Sequence, residues 1–276
     1  MINKEILYDI ENYIKKKVDN FDYILPIIID NLLKYKESFE NNESKYVETF
    51  KQIPEGIKII KEYPNSTKIK LPKPPKLNKP LGDIILSRRS IREYNENEPI
   101  SQEDLSALLN YSYGIREFMP AYNFAEYPFR TAPTAGGLQG PELYIIVNNV
   151  KNLHPGIYHF NPLECCLEQL FTGILKGKLI KICLNQAFVS KASIIVVITA
   201  VLSKGIWKYS ARYYKFVLLD VGFIAQNIYL VATALNLGAC AIAGFNQDEI
   251  INLLNLPEEE IPVLLISVGV PSLKYP

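Results

Sequence analysis

The chain has 276 residues with 30 basic and 29 acidic side chains, and 48% of its residues are hydrophobic, enough for one large core. The near-zero net charge gives no electrostatic reason to expect nucleic-acid binding, which normally needs a basic face. The four cysteines show no C-x-x-C spacing and only two histidines accompany them, so we expect reduced thiols in a cytoplasmic protein without a zinc site.

Residues 1–80 are expected to form a helical N-terminal region followed by a linker, separate from a domain over residues 81–276. Apolar residues at helical spacing, such as Ile6, Ile10 and Ile14, predict a first helix, and this segment lacks the continuous apolar run of a secretory signal. Residues 61–80 contain six lysines and five prolines. Because proline disrupts helix interiors, this stretch is expected as an extended linker or arm, either solvated or wrapped around a partner subunit.

Helices and strands are interspersed from residue 81 onward. A short helix is predicted over 81–88, and a second begins at Ser101, which can form a capping box with Asp104. A third short helix is predicted over 248–254. Strands are predicted over 142–148, 156–160 with alternating exposure, 193–202 with both faces buried, and 263–268. This order predicts an α+β fold in which helices pack on a sheet.

One long apolar helix is predicted over residues 216–237. Its first twenty residues are long enough to span a bilayer, but Asp220, Gln226 and Asn227 would be costly at that depth, so we expect a core helix and no membrane partner. Gly238 is expected to close it as the C′ residue. Because the helix is apolar nearly all round, burial against a second subunit is expected.

A basic cluster follows the first predicted helix of the domain. It consists of Arg88, Arg89, Ser90 and Arg92. Guanidinium groups match phosphate oxygens two at a time, so the cluster could hold a phosphomonoester. A solvated charge run is the alternative, although apolar neighbours at Ile84, Leu86 and Ile91 indicate partial burial.

Two further stretches are rich in small residues. The first, here called the small-residue segment, consists of Pro133, Thr134, Ala135 and Gly136 within APTAGGLQGPE. Small side chains let backbone amides approach a flat or anionic ligand, although a plain turn is an equal alternative. The second is AIAGF over residues 241–245, which could present small residues beneath a ring.

Lys208 and Tyr209 stand next to each other just before the long helix. A lysine beside a tyrosine can serve as a general base. The alternative is a lysine whose stem covers an aromatic helix surface while its amine stays in water.

Five stretches in a fixed order resemble the nitroreductase superfamily, and within it the SagB/McbC-type azoline dehydrogenases. They are RRSIREY, PTAGGLQGPELYIIV, GIYHFNP, WKYSARYYKFVLLDVG and AIAGF, and the resemblance covers residues 81–271. It implies an α+β, nitroreductase-like fold with a mostly antiparallel sheet, an FMN cofactor and an intertwined homodimer.

The resemblance also implies roles for individual residues. The basic cluster would bind the FMN phosphate, and the small-residue segment would contact the flavin across the dimer. Ala243 and Gly244 would lie against the isoalloxazine near N5. Lys208 would remove the substrate's ring proton, and Tyr209 would orient the lysine or donate a hydrogen bond.

Three positions depart from the family pattern. Thr134 replaces the usual serine and keeps a hydroxyl, while Gln139 and Gly140 stand where the family commonly has Tyr-Pro. These changes affect the expected substrate pocket more than the expected cofactor.

The expected activity is oxidation of azoline rings to azoles in a ribosomal or nonribosomal peptide. The expected partners are a second copy, a peptide or small-molecule substrate and, as one possibility, a cyclodehydratase complex. Two alternatives stay open. One is a general NAD(P)H-dependent nitro or quinone reductase on the same fold, and the other is a non-catalytic scaffold subunit of a peptide-modifying complex.

Overall fold

The computed structural model describes residues 52–273, so the expected helices within residues 1–50 lie outside the described range. The described residues form nine strands, which are β1 (Thr67–Lys70), β2 (Ile115–Ala121), β3 (Phe124–Arg130), β4 (Pro141–Val147), β5 (Gly156–Asn161), β6 (Cys166–Thr172), β7 (Ile194–Val201), β8 (Gly238–Ile242) and β9 (Glu260–Gly269). Seven of them form one sheet in the order β1-β6-β5-β4-β7-β9-β8. Every pairing in it is antiparallel, and β2 and β3 form a separate hairpin.

The same range contains six α-helices, which are α1 (Leu81–Ser87), α2 (Gln102–Tyr113), α3 (Lys176–Ile182), α4 (Ser203–Tyr209), α5 (Tyr213–Ala234) and α6 (Gln247–Leu254). The predicted cap of α2 is confirmed, because the Ser101 hydroxyl accepts a hydrogen bond of 2.9 Å from the Asp104 N–H. The short helices predicted at 81–88 and 248–254 are present with boundaries shifted by one residue.

The core has two layers, one on each face of the sheet. Central strand β7 is buried along its whole length, as predicted. Because successive side chains of a strand point to opposite faces, Ile194, Val196 and Ile198 join the cluster beneath α2 and α5. Ile195 and Val197 join the opposite cluster, with α3 and α6. The predicted α+β fold with helices on a mostly antiparallel sheet is therefore confirmed.

Strand β5 differs from its prediction. Its side chains were expected to alternate between buried and exposed, but all six residues are buried. The polar positions His159 and Asn161 face other polar groups inside the protein rather than water. The alternation of polar and apolar residues in β5 therefore reflects two buried faces, one that carries the polar side chains and one that is apolar.

The long helix α5 begins at Tyr213 and ends at Ala234, three residues earlier at each end than predicted. Gly238 does not close it. Asn236 has the left-handed φ of 61° expected of a C′ residue, and the Leu237 N–H bonds back to the Ala232 carbonyl at 2.8 Å. Gly238 instead begins β8, where a Cβ would meet the side chain of Ile91 at 2.7 Å.

The lysine- and proline-rich stretch is attached to the domain. Its strand β1 pairs with β6, and Leu71 is buried in the core. Lys79 donates to the Thr233 carbonyl at the end of α5 at 3.1 Å. The whole stretch belongs to the compact unit that contains the sheet.

Candidate functional site

The basic cluster lies between α1 and the first residues of β8. Ser90 forms a bridge to Ala239, and its hydroxyl is 3.1 Å from the hydroxyl of Tyr229 on α5. The guanidinium of Arg88 lies 5.3 Å from the centre of the Tyr229 ring. Arg89 donates to the backbone carbonyls of Leu86 and Arg88.

The chemistry of this cluster fits a phosphomonoester. Arg89, Ser90 and Arg92 are exposed and Arg88 is half-buried. Within residues 52–273, no ion pair between side chains includes Arg88, Arg89 or Arg92. No carboxylate of this range therefore neutralises their guanidinium groups. Arginine donors of this kind bind phosphate oxygens through charge-assisted hydrogen bonds.

The small-residue segment is held by α5. The Ala135 N–H donates to both carboxylate oxygens of Asp220 at 3.0 Å. Burial raises the pKa of Asp220 to about 6, against the opposing effect of the Ala135 N–H. The Thr134 hydroxyl accepts from the Gln139 N–H at 3.2 Å, so it stabilises the turn that follows. Sequence reasoning did not assign Asp220 to the site.

Lys208 and Tyr209 converge on Gly136. This glycine is exposed and has a left-handed φ of 59°. A Cβ built on it would lie 2.5 Å from the Tyr209 hydroxyl and 3.2 Å from the Lys208 Nζ. The structure therefore brings the expected base and its neighbour to the expected flavin-contacting segment.

A residue that sequence reasoning missed, Tyr122, completes this group. It lies on the two-residue turn between β2 and β3, where Tyr122 and Asn123 have φ values of 52° and 65°, typical of a type I′ hairpin turn. Lys208 Nζ donates to the Tyr122 hydroxyl at 2.7 Å. Tyr-Asn is not one of the usual hairpin dipeptides such as Asn-Gly or Asp-Gly, so the sequence carried only a weak signal for this hairpin.

Ala243 and Gly244 lie just after β8, and both are exposed. The Gly244 carbonyl accepts from the Gln186 side-chain amide at 2.9 Å. The basic cluster is adjacent to the opposite end of the same strand, at Ala239. Ala243 stands four positions after Ala239, a span of roughly 13 Å in extended chain.

Within one chain, the basic cluster and the small-residue segment contact different parts of α5. The first contacts Tyr229 and the second contacts Asp220. Tyr229 stands nine positions after Asp220 in the helix, which corresponds to about 14 Å along the axis. A ligand that touched both sets at once would therefore need an elongated shape or a second copy of the chain.

Gln139 and Gly140 belong to the interior beneath this region. Gln139 is buried, and its side-chain oxygen accepts from Arg130 at 2.8 Å. A Cβ on Gly140 would lie 2.0 Å from the hydroxyl of Tyr213 and 3.0 Å from a methyl group of Val217, so a larger residue would have to displace these two buried side chains of α5. These two departures from the family pattern therefore contact buried groups and do not line an exposed pocket.

A chain of buried charges anchors helix α4, one turn before Lys208. Lys204 Nζ donates to the Glu142 carboxylate at 2.6 Å and to the Gln139 carbonyl at 3.1 Å. Burial alone would raise the pKa of Glu142, but Lys204 and His159 together lower it to about 2. The ionised carboxylate thus fixes the lysine, and with it the start of α4.

His159 continues this chain across β5. Its ring nitrogens lie 3.1 Å from a Glu142 oxygen and 2.8 Å from a Glu168 oxygen. Because both nitrogens face carboxylates, both act as donors and the imidazole is charged. Burial opposes that charge, but the hydrogen bonds to the two carboxylates outweigh it and raise the pKa of His159.

Sequence comparison agrees with this architecture. Residues 85–270 match the model of the Nitroreductase family. A Methanocaldococcus jannaschii protein named as a nitroreductase is 32% identical over 189 residues, which are 68% of this chain and 90% of that protein. The microcin B17-processing protein McbC of Escherichia coli is 25% identical over 149 residues, 50% of this chain and 52% of McbC. The chain thus matches about half the length of McbC.

Solved structures share the fold. A structure of an Anabaena variabilis protein described as a nitroreductase gives a TM-score of 0.65 at 28% identity, over 82% of this chain and 47% of that chain. The Escherichia coli microcin synthetase McbBCD complex with truncated pro-MccB17 bound gives 0.56 at 20% identity, over 81% and 80%. The NADPH:FMN oxidoreductase of Vibrio harveyi complexed with NAD+ gives 0.50 at 19% identity, over 70% of each chain.

Members of this family are soluble oxidoreductases that generally use FMN. The family match covers about two thirds of the chain, and the sheet with helices on both faces is the architecture of the solved structures. The chain therefore belongs to the nitroreductase family.

Proposed function

We propose that this protein is an FMN-dependent dehydrogenase that oxidises azoline rings of a peptide to azoles. The observation that carries the proposal is the convergence of Lys208 and Tyr209 on Gly136. A base at this position is needed for ring oxidation, whereas reduction of a nitro group or quinone by a nicotinamide nucleotide does not require one. The similarity to McbC, a protein that processes microcin B17, supports the same activity.

In the proposed arrangement, the basic cluster holds the phosphate of FMN through guanidinium and hydroxyl donors. Ala243 and Gly244 allow close approach of the ring, and the small-residue segment of a second copy covers it. When bound, FMN supplies the acceptor for a hydride. Lys208 in its neutral form accepts the proton of the azoline ring at Nζ, while the Tyr209 hydroxyl orients the lysine or donates to the substrate.

The proposed homodimer would use an exposed apolar face. On α5 this face includes Leu219 and Phe223, which are 57% and 50% exposed, and on the neighbouring α1 it includes Leu81, Ile85 and Leu86. Soluble monomers rarely expose large contiguous apolar patches.

The helical run Ser203–Ala234 is also long and apolar enough to cross a membrane, with 44% of its most apolar window buried. We propose that a second copy covers the exposed side in the cytoplasm.

Association with a cyclodehydratase belongs to the same proposal. An azoline ring must be formed from a cysteine, serine or threonine side chain before it can be oxidised. The fold shared with the microcin synthetase McbBCD complex supports an assembly that performs both steps.

The test replaces Lys208 with alanine in the purified, FMN-loaded protein, with the exposed Lys151→Ala as the matched control. Loss of a general base lowers turnover by about 10²–10⁴-fold. We expect K208A to keep the visible flavin spectrum and to lose oxidation of a thiazoline-containing peptide, measured by a 2 Da mass decrease. A K208A protein as active as K151A would contradict the proposal.

The second candidate is a general NAD(P)H-dependent reductase, favoured by the 32% identity to a protein named as a nitroreductase. Rapid anaerobic bleaching of the flavin by NADPH without peptide, unchanged in K208A, would support it. A stable, colourless dimer that rejects added FMN would instead indicate a scaffold subunit.

A further inference from the structure

We propose that Tyr122, on the turn of the β2–β3 hairpin, is a positioning residue that holds Lys208 in place for proton removal. This inference rests on the proposed function, because it assigns a role toward Lys208. It adds the hairpin Ile115–Arg130 to the elements that build the site.

The Tyr122 hydroxyl uses both of its hydrogen-bonding roles. It accepts from Lys208 Nζ at 2.7 Å and donates to the Gly136 carbonyl. A phenol has a single proton, so the bond to Gly136 directs the oxygen lone pairs toward the lysine. The lysine amine is thereby linked to the backbone of the small-residue segment through one oxygen atom.

The ring of Tyr122 is itself held from two sides. Its centre lies 5.4 Å from that of Tyr127 on β3 and 6.3 Å from that of Trp207 on α4. Tyr127 donates to the Gly137 carbonyl at 2.8 Å, and Trp207 donates to the Lys204 carbonyl at 2.8 Å. The phenol therefore has little freedom, although it lies at the tip of a hairpin.

A fixed phenol matters because of the side chain that it contacts. Lysine has a flexible four-carbon stem, and its amine can sample many positions when it is exposed. Removal of a proton requires the amine at a defined position relative to the ring. Tyr122 restricts the amine to the volume beside Gly136, where Tyr209 also points.

The test replaces Tyr122 with phenylalanine, which keeps the ring contacts and removes only the hydroxyl. The matched control is Tyr111→Phe, which also removes a phenol bonded to a backbone carbonyl, that of Pro75 at 3.0 Å. In the FMN-loaded protein we expect Y122F to lower kcat by about 10–100-fold, with KM within about threefold, because misplacement of a reacting group acts on turnover. Y111F should match the wild type.

A second readout needs neither flavin nor substrate. The rate at which Lys208 reacts with a small amine-directed reagent, followed by mass spectrometry of its peptide, reports whether its Nζ is held. We expect a rate about fivefold higher in Y122F than in Y111F, because the amine loses its partner. If Y122F does not fold, Tyr122→His, which offers a ring nitrogen to the lysine, should show a smaller increase than Tyr122→Leu.

The outcomes separate the two proposals. If K208A is inactive but Y122F has wild-type kcat and wild-type labelling, the role of Tyr122 is refuted and the proposed function stands. If K208A is fully active, the proposed function fails. A lower kcat in Y122F with unchanged labelling would also overturn the inference, because the phenol would then act other than through Lys208.

Discussion

Gly136 is the residue at which the backbone and side chains of the site meet. An alanine here would be strained by the left-handed φ, and its Cβ would lie 2.5 Å from the Tyr209 hydroxyl, so that side chain would have to move. Its neighbour Gly137 also has a left-handed φ, 71°, but a Cβ there would approach only Phe129, at 3.4 Å. The two glycines therefore have similar backbone requirements and different surroundings.

We predict that Gly136→Ala displaces Tyr209 and Lys208 and lowers the rate of azoline oxidation by about 10–100-fold. Gly137→Ala has a similar backbone cost, of about 1 kcal/mol, without this displacement. The rate should be compared with the free energy of unfolding from urea titrations. Equal losses of rate in both variants would mean that strain in the turn, and not contact with Tyr209, limits turnover.

At the residue scale, the sequence predicted the groups that are adjacent in the chain. Lys208 and Tyr209 were identified as a neighbouring pair, and Arg88 to Arg92 as a cluster. Tyr122 and Asp220 were not, because their partners Lys208 and Ala135 lie 86 and 85 residues away. Such contacts depend on how the hairpin and α5 pack, which periodicity does not reveal.

Among the elements, strand β5 carries a buried charged residue between aromatic neighbours. His159 is fully buried between Glu142 and Glu168, and this arrangement links β4, β5 and β6 through side chains as well as through the backbone. Removing one partner of a buried ion pair leaves an uncompensated charge, at a cost of about 3–5 kcal/mol.

We predict that His159→Gln lowers the free energy of unfolding by that amount at pH 6, whereas the exposed His154→Gln changes it little. The pKa of His159 is raised on folding, so its stabilisation is complete below the unfolded value of 6.5 and is lost as pH rises through the folded value. Urea titrations at several pH values should therefore show the difference between H159Q and the wild type shrinking above neutral pH. A constant difference would mean that His159 does not titrate.

Element predictions succeeded where one physical requirement dominated. The β-branched run of β7 predicted a fully buried strand, and Ser101 predicted the start of α2. Exposure of β5 was predicted wrongly because a polar residue in a strand usually faces water. The end of α5 was assigned to Gly238 because glycine is the usual C′ residue, whereas Asn236 tolerates the same conformation.

For the whole molecule, the resemblance in sequence motifs predicted helices packed on a mostly antiparallel sheet, but not which apolar residues of the described range are exposed. The exposed apolar face lies on α5 and on α1, which contact each other, and the basic cluster directly follows α1. If a second copy covers this face, its small-residue segment can approach the basic cluster, which one chain keeps at a distance. Dimer formation and flavin binding should therefore be coupled.

We predict that Phe223→Lys, which places a charge on this face, yields a monomer that binds FMN at least about tenfold more weakly, a loss of roughly 1.4 kcal/mol. Phe223 is half exposed, so the fold should tolerate the change. The matched control is Ile174→Lys, at a position 78% exposed on the loop between β6 and α3. Light scattering gives the oligomeric state, and quenching of FMN fluorescence gives the affinity. A monomeric F223K protein with unchanged FMN affinity would show that one chain holds the flavin alone, and a dimeric F223K protein would place the interface elsewhere.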